Sequence, residues 1–171
     1  MVKADLSIDQ FLILIGEAML TVEKNGNKIA KDLAQVYVDK VKGHIDNQDL
    51  SSMKTPEHSA KWAKKKSSDK YWHENGDLYD AIKVTEETEE KGYFAGITEE
   101  TDSKQVDKAW ALEAGWAPKN IPARPLFEPT ARELEDFIDQ NEETIRSRSM
   151  GKLGKFLGLK EKPLVKTEFS A

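Results

Sequence analysis

Three observations predict an α+β fold for this chain. Apolar residues recur at spacings of three and four in the first and last thirds of the sequence. Two short β-prone runs lie near the middle, and an Asn-Gly-Asp turn precedes them. The expected architecture is a long N-terminal helical region, a small antiparallel sheet, an amphipathic C-terminal helix and an extended C-terminal arm.

Ser7, with Gln10 three residues later, forms a capping-box pattern and starts the first helix. Beyond Gly26, the residues Ile29, Leu33, Val36, Tyr37, Val41 and Ile45 mark one face of an amphipathic helix that ends between Gly43 and Asn47. Asn25-Gly26-Asn27 allows two helices or one long kinked helix, because a single glycine costs only about 1 kcal/mol inside a helix. From Asp46 to Ser68 the chain is polar and loop-rich, with a short helix expected around Ser59 to Lys66.

Asn75-Gly76-Asp77 is a turn signal, since Asn and Gly tolerate positive φ. Leu78 and Ile82 then close one helical turn before Ile82-Lys83-Val84-Thr85 becomes extended. Tyr93-Phe94-Ala95-Gly96-Ile97 supplies the second strand, and the Glu-rich stretch with Gly92 suits a hairpin. Val106 to Glu113 reads as a short helix. Ile121-Pro122-Ala123-Arg124-Pro125 is extended, because each proline pushes its predecessor out of the α region. Pro129 fits the first turn of the next helix, whose face carries Leu134, Phe137, Ile138, Asn141 and Ile145. After Ser147, Gly151, Gly154 and Gly158 are expected to interrupt any helix. The domain reading is therefore 1–147, with 148–171 as an arm that is either flexible or docked on a partner through Leu153, Phe156, Leu157, Leu159, Leu164, Val165 and Phe169.

At 171 residues the chain has the length of one domain, and its 38% apolar and 33% charged residues imply a thin core. The absence of cysteine removes disulfides, thiolate metal sites and thiol nucleophiles. The longest apolar run, Phe11 to Val22, is broken by Glu17 and falls short of the roughly 20 residues needed to cross a bilayer. No secretory signal pattern precedes it, so an intracellular setting and no membrane partner are expected. A net charge of −5 argues against a dedicated DNA-binding module. The charge is uneven, however: Lys61, Lys64, Lys65, Lys66 and Lys70 form a basic run, while Glu86, Glu87, Glu89, Glu90, Glu99 and Glu100 concentrate acid.

Nucleotide-binding glycine motifs, zinc-protease signatures and nucleophile elbows are missing. His58, His73, Glu74 and Asp77 supply nitrogen and oxygen donors, which defines one alternative, a small metal-dependent hydrolase. Their spacing matches no established ligand pattern, and exposed loop histidines explain them equally. A second alternative, a nucleic-acid-binding adaptor, would use the Lys61 to Lys70 run with Trp62 and Trp72 as stacking platforms. Core or subunit packing is the competing role for all four tryptophans, Trp62, Trp72, Trp110 and Trp116.

The order of motifs in the second half carries a resemblance. Asn75-Gly76-Asp77-Leu78-Tyr79-Asp80-Ala81-Ile82 resembles the "TG-x-L-x-x-S-I" segment of the head–tail connector and tail-completion proteins of tailed bacteriophages, the group that includes minor tail protein Z. Trp110-Ala111-Leu112-Glu113-Ala114-Gly115 is similar to their "Y-A-x-x-x-E-x-G" element. Ile121-Pro122-Ala123-Arg124-Pro125-Leu126-Phe127 resembles their "P-A-R-P-F-L" motif and is likewise followed by a helix. Asn75 stands where the pattern has Thr, Ala81 where it has Ser, and Leu126-Phe127 reverses the usual order. The resemblance covers about Trp62 to Ile145.

It implies a structural virion protein of the phage neck, a tail-completion or tail-terminator subunit that catalyses nothing and needs no cofactor. The implied assembly is a homo-oligomeric ring, a hexamer, at the head–tail junction, reached from the host cytoplasm. Its partners would be adjacent connector and tail-tube or sheath proteins, with DNA passing the lumen. The motif residues then become candidate subunit contacts: Asn75, Gly76, Leu78, Ile82, Trp110, Glu113, Gly115, Pro122, Arg124, Pro125 and Phe127. Arg124, held between prolines, has a planar five-donor fork suited to a carboxylate or carbonyls. It is expected either to pin its loop to the sheet or a neighbouring subunit, or to be simply solvated.

Overall fold

The computed structural model describes residues 8–53, 70–87 and 92–156. Helix α1 (Ile8–Asn47) is followed by a 3-10 turn at Ser51–Met53, the one-turn helix α2 (Asp77–Ala81) and strands β1 (Lys83–Glu87) and β2 (Gly92–Gly96). Helix α3 (Glu99–Glu113), a second 3-10 turn at Ala117–Lys119, and helices α4 (Phe127–Gln140) and α5 (Glu142–Phe156) complete the order. The mainly helical α+β class with one small antiparallel sheet is as the sequence predicts.

The chain divides into two compact units. One gathers Met1–Ala30 with Asp136–Ala171; the other is Lys31–Glu135. Ser147 lies within α5 rather than at an element boundary.

In the Lys31–Glu135 unit, α1 buries Ala34, Tyr37, Val38, Val41 and Ile45, a stripe at spacings of three and four. This face is rotated slightly from the predicted one, since Leu33 and Val36 are half-buried. The stripe packs with Met53, Tyr71, Trp72, Leu78, Ile82, Ala109 and Leu126 into one core. Helix α1 ends where Gln48 turns to φ 51°. The Gln48 side-chain amide donates to the carbonyls of Ile45 and Tyr71 and accepts the Tyr71 N–H, which fixes the aromatic pair Tyr71-Trp72 at the end of α1. The hairpin pairs Val84 with Ala95 and Glu87 with Gly92, and Val84 and Ala95 pack against the core.

In the other unit, Asn141 separates α4 from α5, its side-chain amide donating to the Phe137 carbonyl at 2.8 Å. Asn141, Thr144 and Ser147 form a buried polar stripe at spacings of three. Asn25 of α1 donates to the Ser149 carbonyl of α5 at 3.4 Å.

Two element boundaries correct the sequence reading, and at a third the structure decides between the two readings left open: helix α1 runs through Asn25-Gly26-Asn27 as one long helix. Helix α3 starts at Glu99 rather than Val106, with Thr98 extended before it and acidic residues in its first turn, where the helix dipole favours them. Helix α5 passes through Gly151 and Gly154, because the good helix formers Lys152, Leu153 and Lys155 offset a cost of about 1 kcal/mol per glycine. The helix expected at Ser59 to Lys66 and the arm beyond Phe156 lie outside the described residues. Among the described residues, no helix is long and apolar enough to cross a membrane.

Candidate functional site

Within the Lys31–Glu135 unit, the three motif segments converge on one groove of about 600 Å³. Asn75, Asp77 and Leu78 come from the first segment; Ala111 and Leu112 come from the second, with Trp116 directly after it. Ile121, Pro122 and Arg124 come from the third.

Each motif has a local physical reason. Gly76 sits at φ +91° and opens α2, so the Asn-Gly-Asp signal is a real left-handed turn. Gly115 sits at φ +78°, and a Cβ there would lie 2.7 Å from the Ala123 backbone nitrogen. That close approach brings the second and third segments together, with Arg124 N–H donating to the Leu112 carbonyl at 2.6 Å. Trp116 and Ile121 exchange backbone hydrogen bonds and close a short loop over Ala117–Lys119, where Lys119 Nζ lies 4.3 Å from the Trp116 ring centroid.

Glu113 serves as a cap. Its Oε2 accepts the N–H groups of Leu126 and Phe127 at 2.8 and 3.2 Å, and its Oε1 accepts that of Glu128 at 3.1 Å. The carboxylate thereby satisfies donors at the N-terminus of α4. Pro125 offers its carbonyl to Ser52 Oγ at 2.8 Å, and the Phe127 ring meets Trp72 edge-on at 5.4 Å. Tyr37 donates its hydroxyl to the Phe127 carbonyl at 3.0 Å; burial and then the Glu113 charge push its pKa up to about 12.

Arg124 is buried, which excludes the solvated reading. It does not pin its loop to the sheet. Its guanidinium stacks 3.9 Å above the Tyr71 ring centroid, Nη1 donates to the Pro122 carbonyl at 3.4 Å, and its own carbonyl accepts Trp72 Nε1–H at 3.2 Å. Leu78 and Ile82 belong to the core. Trp110, 68% exposed, faces away from the groove and borders a smaller hollow of about 300 Å³ with Tyr37, Phe94, Glu113 and Phe127.

The alternative sites fare differently. Trp72 is 2% exposed and cannot stack on a base; Lys61 to Lys66, Trp62 and His58 lie outside the described residues. Lys70 pairs with Asp46 at 3.6 Å. His73 packs edge-on against Tyr79 at 4.9 Å. Tyr79 in turn donates to Asp46 Oδ2 at 2.9 Å, and its pKa is raised by burial, by that bond and by the charges of Asp46 and Asp80. Among the described residues no group of three or more His, Asp or Glu is placed to hold a metal ion.

Tyr71 and Gln48 hold the site together, and neither is among the residues that the sequence motifs single out. The adjacent aromatics Tyr71-Trp72 were the available signal, but the φ of 66° that Trp72 adopts to enter the core has no mark in composition. No family model, no curated protein and no solved structure matches this chain.

Proposed function

We propose that this chain is a structural subunit of a phage neck, a tail-completion or tail-terminator protein that closes the head-proximal end of the tail and joins it to the head connector. It acts by assembling into a homo-oligomeric ring, a hexamer, and has no chemistry of its own. In the virion it meets connector and tail-tube or sheath proteins, with DNA passing through the lumen.

The observation that carries this reading is the division of labour among the motif residues. Glu113, Gly115 and Arg124 are spent inside the block, as cap, close approach and buried stack. Trp110 and Trp116 leave the same block 68% and 42% exposed. Large exposed aromatics on a rigid frame are the side chains that anchor protein interfaces.

Native mass spectrometry with negative-stain imaging tests the proposal. A closed ring is expected, and replacing both Trp110 and Trp116 by Ser should give a folded monomer. A wild-type chain that stays monomeric at tens of micromolar, with and without neck partners, would overturn it.

A further inference from the structure

Among the described residues, Arg124 is the one charged side chain that is buried, at 6% exposed. Its cation rests on the Tyr71 ring and on a long hydrogen bond to one carbonyl, while its Nε has no hydrogen-bond partner. Ring quadrupoles and a neutral carbonyl compensate a desolvated guanidinium only in part; its natural complement is a carboxylate. Arg124 lines the groove, so an anion entering there would complete it.

The rest of the groove narrows the chemistry. Leu78, Ile121 and Trp116 give it apolar walls, and its other charged lining residues balance, Glu74, Asp77 and Asp107 against Lys70, Lys108 and Lys119, which leaves the single Arg124 cation as the surplus. A segment with apolar side chains and a single carboxylate fits this pattern; a phosphate chain does not.

This chain contains such a segment. Residues 164–169 read Leu-Val-Lys-Thr-Glu-Phe, with apolar side chains, one carboxylate and an aromatic ring beside it. The stretch lies outside the described residues. Six extended residues reach about 20 Å. We propose that the Arg124 groove receives residues 164–169 of a neighbouring copy, with the Glu168 carboxylate on the guanidinium and the Phe169 ring against Trp116. The contact rests on the ring assembly proposed above, and would link successive copies head to tail.

The chain has no cysteine, so a double variant, Lys119→Cys with Ser170→Cys, gives a clean test in the full-length protein. Mild oxidation should produce a ladder of disulfide-linked copies on a denaturing gel. Adding Glu168→Gln to the pair should cut the yield about tenfold, as should a competing synthetic peptide of residues 160–171. Rings intact by native mass that show no inter-copy disulfide, only intramolecular ones, or a ladder indifferent to Glu168→Gln would overturn the contact and leave the ring standing. Absence of any ring by mass would overturn both.

Discussion

At Gly115 the constraint is backbone against backbone. The residue sits at φ +78°, and an added methyl would lie 2.7 Å from the Ala123 nitrogen and 3.1 Å from the Ile121 carbonyl oxygen. Neither atom is the movable end of a side chain, so strain and overlap add. Gly115→Ala is expected to cost about 2–4 kcal/mol, read as a lowered urea midpoint with unchanged m. Tyr37 makes a prediction in pH. Its hydroxyl is protonated in the fold up to about 12, whereas in the unfolded chain it ionises near the ordinary value of 10.0. Between those two values the folded state binds the extra proton, so its contribution is complete below the lower value and is lost as pH rises through the window. Unfolding curves across this range should show stability falling with pH. Tyr37→Phe should flatten that slope in spite of the lost hydrogen bond to Phe127, leaving a residual part from Tyr79, which shifts the same way. Equal slopes in the two proteins would contradict the assignment. The site's residue types were legible, since glycine, glutamate and arginine stood out in their motifs. Their roles were not, because a cap formed between Glu113 and the start of α4 depends on a meeting that spacing alone does not encode.

Among the elements, the hairpin and the amphipathic half of α1 were readable because each writes its period directly. Val84 and Ala95 face the core across one registered pair, and Ala34, Tyr37, Val41 and Ile45 recur by three and four. The continuity of helices was less readable. Local breakers sit at Gly26 in α1 and at Gly151 and Gly154 in α5, and their neighbours outweigh them. Gly26 shows the opposite case to Gly115. Nothing lies within 4 Å of the Cβ it would carry, and it stands in a helix interior where glycine is the costlier choice. Gly26→Ala is therefore expected to stabilise the protein by up to about 1 kcal/mol, seen as a higher denaturant midpoint with more helical circular dichroism, not less. A destabilised Gly26→Ala would mean that the Asn25-Gly26-Asn27 segment is a functional hinge and not a passive stretch of helix.

For the whole molecule, the low apolar share raised the question of what completes so thin a core. The Lys31–Glu135 unit answers part of it with a compact cluster built from α1, the Tyr71-Trp72 pair and the motif loops. Apolar surface nevertheless remains uncovered: Met19 and Leu20 on α1 are 68% and 69% exposed, and Trp110 and Trp116 project from the motif block. If association covers these side chains, the folded state is linked to protein concentration by mass action. Raising the concentration from about 1 to 100 µM should then lift the thermal midpoint by roughly 5 °C for a chain of this length. The Trp110→Ser, Trp116→Ser double variant should keep the low-concentration midpoint of the wild type and lose the dependence. A wild-type midpoint that ignores concentration would show that the exposed aromatics bind no second copy.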